Sequence, residues 1–276
     1  MKLSVHLVTW NGAKYIPYLF ESLKKQTFKD WQLFILDNGS TDSTIADCRL
    51  QIDEFSIEAK IIESKENLGF AGGHNRLFQR TMNNEQQPSD FVLLLNQDMY
   101  LEKDCLEKLV GFMSKNEEVA VVSPRLMYWD FEKCKIDTHR ASLCGENAKC
   151  KIENSLTSKI DSLGLRVFRN RRVIEKYAGK EWSEIKSMME MSFRTEGRAK
   201  EVFGVSGTLP MFRCSVIEEV GLFDLSYGSY KEDVDLAFRL RSAGHKAFVL
   251  LNAVSHHDRT GIDIGPVKNK KNQPEY

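Results

Sequence analysis

The sequence predicts an α/β fold with a mostly parallel central sheet flanked by helices, and three observations lead there. Strand-like segments at 3–9, 32–37, 59–63 and 91–95 alternate with helix-like segments at 13–26, 42–55, 72–83 and 102–115. A strand-then-helix rhythm needs crossover connections, and crossovers join parallel strands. Polar loops follow the strands, at the sheet edge where ligands of open α/β sheets gather. The length, 276 residues with 42% hydrophobic content, suits one large domain or two small ones.

Each element has its own local reason. Leu3, Val5 and Leu7 alternate as a half-buried strand does, and Asn11-Gly12 supplies the turn that follows. Ile16, Leu19, Phe20 and Leu23 recur at helical spacing, so the helix over 13–26 turns one apolar face to the sheet. Ser40-Thr41-Asp42-Ser43 offers cap residues before a helix carrying Ile45 and Leu50, which leaves Asp37 at a strand's carboxyl end. The run Phe91–Leu95 is far short of the roughly 20 residues that span a bilayer and reads as a buried strand. Beyond it, 119–127 reads as a strand, and 131–200 is polar and rich in Lys and Arg, with no assigned structure. From 202 to 212 the chain is extended, helices follow near 214–220 and 232–243, and a strand covers 246–250. These limits divide the chain into a first α/β half (1–127), a polar linking region (128–200), a second half of the same domain (201–260) and a flexible tail (261–276).

Charge narrows the partners. Lys+Arg and Asp+Glu both number 39, so there is no basic field for nucleic acid, and an anionic ligand must be held by local geometry or a metal. Six cysteines show no C-x-x-C spacing, which suits reduced thiols. The N-terminus opens into a strand without a signal peptide's apolar run. The expectation is a cytoplasmic protein. The Arg/Lys-rich stretch 166–180 leaves room for peripheral contact at the inner membrane face, although charged stretches are more often solvated.

The chemistry-bearing residues fall in those loops. Asn96-Gln97-Asp98 follows the buried run, where Asp98 can hold Mg2+ or Mn2+, since such hard cations take one or two carboxylates and complete their shell with phosphates and water. The plainer alternative is that Asp98 caps the next helix. Thr9-Trp10-Asn11-Gly12, Asp37-Asn38-Gly39-Ser40 and Asn67-Leu68-Gly69-Phe70-Ala71-Gly72-Gly73-His74-Asn75 each follow a strand and converge on one crevice. There Asp37 can accept a base N–H while the glycines permit close backbone approach. Taken singly, these are common turn sequences.

The order and wording of these motifs resemble the family 2 glycosyltransferases over nearly the whole of 3–258. The resemblance implies the Rossmann-like GT-A fold and an enzyme that transfers a sugar from a nucleotide-diphosphate donor. Asp161-Ser162-Leu163-Gly164, Glu201–Gly207 and Gly221-Leu222-Phe223-Asp224 resemble linking motifs of the rhamnosyltransferase-like branch. By that resemblance Thr9, Asn11, Asp37, Asn67, Gly69 and Asn75 contact the nucleotide, and Asn38, Phe70, Gly72, Asn96 and Gln97 complete the donor set. Asn96-Gln97-Asp98 fills the place of an Asp-x-Asp motif with its first acid replaced. Glu232-Asp233, at a helix start, resembles the family's acceptor-side pair. This implies Asp233 as the base, with Glu232 assisting, since a base must reach the acceptor hydroxyl directly or through one water. His256 is the preferred second metal ligand, with His257 the alternative.

A single displacement assisted by Asp233 would invert the anomeric carbon. The donor would be of UDP or dTDP type, the sugar rhamnose at branch level, and the acceptor a saccharide or lipid-linked saccharide in surface polysaccharide assembly. Arg166–Arg172 is expected to form a mobile loop that closes on phosphate, or else a solvated loop. Two other classes compete. A silent nucleotide-sugar binding module would lack a working base or metal site, and a sugar nucleotidyltransferase would carry Arg and Lys in its first glycine-rich loop.

Overall fold

The computed structural model describes residues 2–82, 89–134, 152–191, 199–227 and 230–259. Its centre is a mixed sheet in which β1 (Leu3–Thr9), β2 (Trp31–Asp37), β3 (Ala59–Glu63) and β4 (Phe91–Asn96) run parallel in the order β4-β1-β2-β3. Between them run α1 (Ile16–Lys24), α2 (Thr44–Phe55) and α3 (Gly69–Met82). The short β5 (Met99–Leu101), α4 (Cys105–Lys115) and β6 (Val119–Trp129) follow. This is the predicted α/β architecture.

Strand β4 explains why its sequence is apolar without alternation. Leu93 and Leu95 belong to one apolar cluster with Val5 and Leu7 of β1 and Leu19, Phe20 and Leu23 of α1, whereas Val92 and Leu94 belong to a second cluster on the other face. A strand covered on both sides reads as a continuous apolar run. Complete burial of Leu19, Phe20 and Leu23 contributes about 1.5–3 kcal/mol each.

The polar region contains β7 (Leu156–Ser162), a hairpin of β8 (Leu165–Val167) and β9 (Val173–Glu175), and α5 (Trp182–Met191). Then come β10 (Ala199–Val202), β11 (Met211–Arg213), α6 (Cys214–Val220), α7 (Glu232–Ser242) and β12 (Lys246–His257). Strand β11 inserts antiparallel between β4 and β6, and β12 lies parallel to β6. The second half is thereby stitched into the sheet of the first.

Several boundaries differ from expectation for local reasons. Helix α1 begins at Ile16 because Gly12–Tyr15 closes a turn, with Tyr15 N–H on the Gly12 carbonyl at 2.9 Å. Helix α3 begins earlier, at Gly69, whose φ of 71° is open to glycine at little cost. Only β10 and β11 are strands within 202–212; the intervening residues form a loop. Strand β12 runs on to His257 through an irregularity between Leu250 and Val254. Arg166–Arg172, expected as a mobile or solvated loop, is for its larger part the exposed connection 168–172 between β8 and β9, in keeping with the solvated reading, and is closed by Phe168 N–H on Arg172 O at 2.9 Å. The tail 261–276 lies outside the described residues. Cys48, Cys105, Cys134 and Cys214 are buried free thiols. Among the described residues, no helix is long and apolar enough to cross a membrane.

Candidate active site

The first wall is made by the loops after β1, β2 and β3. Thr9 and Asp37 are register partners in β1 and β2, so Thr9 Oγ1 donates to Asp37 Oδ1 at 3.2 Å. The Ser40 N–H holds Asp37 Oδ2 at 2.9 Å, which fixes the carboxylate at the strand end. Asn11, with a positive φ of 47°, accepts the Thr41 N–H at 2.8 Å and ties this loop to the first. Asn67 accepts the Gly69 N–H at 2.8 Å and so caps α3.

Other donor-set residues act on the loops themselves. Asn38 is buried, accepts from Leu68 N–H at 3.3 Å and donates to Gly69 O at 3.1 Å, locking the β3–α3 loop to β2. Gln97 accepts the Trp10 N–H at 2.9 Å and donates to the Trp10 carbonyl at 3.1 Å. Asn75 clamps the Phe223 backbone in the same two-bond manner, at 2.7 and 3.0 Å. These three amides position segments of the crevice; their polar groups are already engaged by protein. Gly72 has only Leu68 and Leu225 near the place of a Cβ, whereas a Cβ on Gly73 would lie 2.9 Å from Val8 Cγ1, so Gly73 is the glycine that lets α3 approach β1.

One backbone bond and one bond from backbone to side chain bring the motif Asn96-Gln97-Asp98 close to the start of α7. Asn96 N–H points at Thr208 O at 3.4 Å, and one residue earlier Gly207 N–H donates to Asp233 Oδ2 at 3.1 Å. Phe70 also reaches this point, its ring 3.5 Å from where a Gly207 Cβ would stand. Loops from both halves of the chain therefore meet at Gly207.

At the motif's end, Asp98 is buried beside His257, not His256. His257 Nε2 lies 3.3 Å from Asp98 Oδ2, and its Nδ1 lies 3.0 Å from Asp161 Oδ2. Arg259 then pairs with the other oxygen of the fully buried Asp161. Burial opposes a charged His257 ring, but the Asp98 and Asp161 carboxylates outweigh it and hold its pKa up at about 10. His256 instead turns its Nε2 to Glu102 at 3.2 Å. The preference for His256 is therefore corrected: successive strand side chains face opposite ways, and the register of β12 directs His257 to Asp98.

At the start of α7, Asp233 takes one N–H on each oxygen, from Gly207 and, at 2.8 Å, from Val234. Each oxygen keeps a second lone pair. Burial raises its pKa in spite of these bonds. Neighbouring Glu232 is also buried, with Oε2 lacking a partner among the described residues, and burial followed by the Asp233 charge lifts it to about 7. Asp235 turns to Arg239 at 2.8 Å and stays out of the site.

Residues that sequence reasoning did not single out complete this side. Strand β9 delivers Glu175, hydrogen-bonded by Ser162, with a pKa lifted to about 7 by burial and further by Asp233. The Arg259 charge acts on Asp233, Glu175 and Asp161 together, which links the two acidic sides of the site. Asp161 stood within a quoted motif, but nothing in the sequence marked Glu175 or Arg259.

Among the described residues, no group of three or more His, Cys, Asp or Glu side chains is set to hold a metal ion. Asp98 and His257 supply two donors, which fits a cation that takes the rest of its shell from diphosphate and water. Imidazole suits Mn2+, and ligation would require the ring to release its proton.

Against the O-antigen chain rhamnosyltransferase RfbN of Salmonella typhimurium, identity is 23% over 93% of this chain and 66% of that protein. Against the poly(ribitol-phosphate) beta-N-acetylglucosaminyltransferase TarS of Staphylococcus aureus it is 28% over 42% of this chain and 19% of that protein. The chain thus spans less than two thirds of the length of these relatives. Among solved structures, GalNAc-T7 with UDP, GalNAc and Mn2+ superposes with a TM-score of 0.68 at 12% identity, covering 93% of this chain and 43% of that one. The mannosyltransferase PcManGT from Pyrobaculum calidifontis, in complex with GDP-Man and Mn2+, gives 0.59 at 16% identity, covering 93% and 56%. Residues 4–221 match the profile described as Glycosyl transferase family 2. With the motifs standing where the loops of a GT-A sheet converge, the chain belongs to the family 2 glycosyltransferases.

Proposed function

We propose that this chain is an inverting, metal-dependent glycosyltransferase that moves a sugar from a nucleotide-diphosphate donor to an acceptor hydroxyl in polysaccharide assembly. One observation carries the reading: the loop ending in Asp98 and the helix start bearing Asp233 are joined through the single loop Gly207–Thr208. Leaving group and incoming hydroxyl would then be served in one crevice.

The acceptor oxygen would lose its proton to Asp233 while attacking the anomeric carbon from the face opposite the diphosphate. A single displacement inverts configuration and needs no covalent enzyme intermediate. With its pKa raised by burial, Asp233 accepts a proton more readily than an exposed carboxylate would. Burial lifts Glu232 and Glu175 to about 7, and the Asp233 charge raises both further. Asp98 and His257 would hold Mg2+ or Mn2+, which neutralises charge on the departing diphosphate. Asp37 would accept the N–H of a uracil or thymine base, giving a UDP or dTDP donor. The likeness to a rhamnosyltransferase over 93% of the chain favours rhamnose as the sugar, and a saccharide or lipid-linked saccharide as acceptor.

A screen of UDP-, dTDP- and GDP-sugars for thermal stabilisation, with Mn2+ and with chelator, tests the donor side. Stabilisation by at least one donor, dependent on Mn2+, is expected. Proton NMR of the anomeric centre in the product then reads the stereochemistry, and retention would refute the single displacement.

A further inference from the structure

The β8–β9 hairpin bears Arg166, Arg169, Arg171 and Arg172, and the stretch 166–174 contains no acid. All four arginines are exposed, and among the described residues none has a carboxylate in ion-pair contact. Positive charge gathers at the root as well. Burial, then the charges of Lys200 and Arg166, lower the Lys176 pKa, so three cations crowd one another there. The chain as a whole has zero net charge, so this local surplus would orient the molecule rather than attract anions over its whole surface.

The surplus is held in a fixed shape. Leu165 N–H on Gly204 O and Lys176 N–H on Gly164 O, both at 2.8 Å, anchor the hairpin to the domain. At the tip, Arg171 N–H donates to Phe168 O at 2.9 Å and Arg172 N–H to Asn170 Oδ1 at 3.2 Å. Arg171 closes that turn at a φ of 64°, where Gly or Asn would cost less, and such strain is kept where a side chain is used. Phe168 is exposed beside the arginines, with the Arg166 guanidinium 4.8 Å from its ring. Arginines take phosphate oxygens in bidentate pairs, and an apolar ring among them can enter the boundary between headgroups and acyl chains. A soluble polyanion would be served by the cations and has no use for the exposed ring.

We propose that the tip of the β8–β9 hairpin docks this protein on an anionic lipid surface, with Arg169, Arg171 and Arg172 on headgroup phosphates and Phe168 in the interface. The docking does not depend on the transferase reading. Together with that reading it sets an orientation: Arg172 is three residues, about 10 Å, along β9 from Glu175, whose pKa the Asp233 charge raises. A docked tip would turn the acceptor side of the site towards acceptors carried on lipid.

The test is co-sedimentation of the full chain with vesicles of phosphatidylcholine alone and of phosphatidylcholine with phosphatidylglycerol, with dextran sulfate and inorganic phosphate as soluble competitors. Binding should be about tenfold tighter or more to the phosphatidylglycerol vesicles and should be lost between about 0.1 M and 1 M salt. An arginine at such a surface is worth about fivefold, so the combined Arg169→Gln, Arg171→Gln and Arg172→Gln variant should bind about 100-fold more weakly. Lys103→Gln, Lys115→Gln and Lys246→Gln together remove the same charge from exposed positions elsewhere and should keep binding within about threefold. Phe168→Ala should keep the salt dependence and weaken vesicle binding by about threefold or more. These side chains are exposed, so Tm should stay at the wild-type value, and the wild-type comparison of the two vesicles stands without any variant. Equal binding to both vesicles, or full binding by the triple arginine variant, would overturn the proposal. Displacement from vesicles by inorganic phosphate would reduce the tip to a site for free phosphate and overturn it too. Dextran sulfate bound as tightly as the vesicles, with Phe168→Ala without effect on either, would assign the tip to a soluble polyanion instead.

Discussion

The ring of His257 joins Asp98 to Asp161, with Nε2 3.3 Å from Asp98 Oδ2 and Nδ1 3.0 Å from Asp161 Oδ2. Asp161 thereby fixes the orientation of an imidazole that faces the motif carboxylate, as outer partners do for metal-binding histidines. His257→Ala should lower transfer at saturating donor by about 10- to 100-fold and raise the Mn2+ concentration needed for half-activity. His256→Gln should leave both within about threefold, because its ring contacts Glu102. Equal losses in the two variants would contradict the assignment.

Glu175 gives the fold a pH signature. Its pKa, about 7 against an ordinary 4.5, is raised in the folded state, so the folded chain binds the extra proton between those values. Stability is fully present below about 4.5 and is lost as pH rises towards 7, by about 2 kcal/mol after allowance for partial solvation. Glu175→Gln cannot ionise and should flatten part of the fall in Tm between pH 5 and 8. The part left belongs to Glu232, raised in the same way. A wild-type Tm that rises across that interval would exclude this origin.

Gly204 lies against α7 so closely that a Cβ would stand 2.3 Å from Ala237 Cβ. Gly204→Ala must push α7 outward, at a cost of about 1–3 kcal/mol for overpacking. Since α7 carries Asp233, turnover should fall together with Tm. Gly111→Ala, where no atom of the described residues lies within 4 Å of the new Cβ, should leave Tm unchanged or raise it. Calorimetric Tm values for the two variants decide the matter.

The first half of the fold was legible because its elements are long and periodic. Strands β1 and β3 and helix α6 have the predicted limits, and β4 was marked by its unbroken apolar run. The polar stretch was not legible: β8 and β9 are only three residues each, too short for a period to register, and β9 is what brings Glu175 to Asp233. At the site, Asp98 and Asp233 are candidates by their resemblance to family motifs, one after a buried strand and the other at a helix start, and the structure ties both segments to the Gly207–Thr208 loop. The choice between His256 and His257 could not, since it rests on register, where a slip of one residue exchanges the two faces. An irregularity between Leu250 and Val254 sets that register in β12. Asn38, Gln97 and Asn75 enter the donor set by resemblance alone; that they also bond Gly69, Trp10 and Phe223 depends on which loops lie side by side, which a single sequence does not state.

The central claim is that Asp98 and Asp233 serve opposite ends of one displacement, and Asp233→Asn tests it most directly. Single-turnover transfer and donor affinity should be measured on the same preparation, with the donor identified by thermal stabilisation. Removing a base while keeping its shape should lower the transfer rate by about 100- to 10,000-fold and leave the donor Kd within about threefold. Transfer at the wild-type rate would contradict the account, as would a loss explained wholly by weaker donor binding.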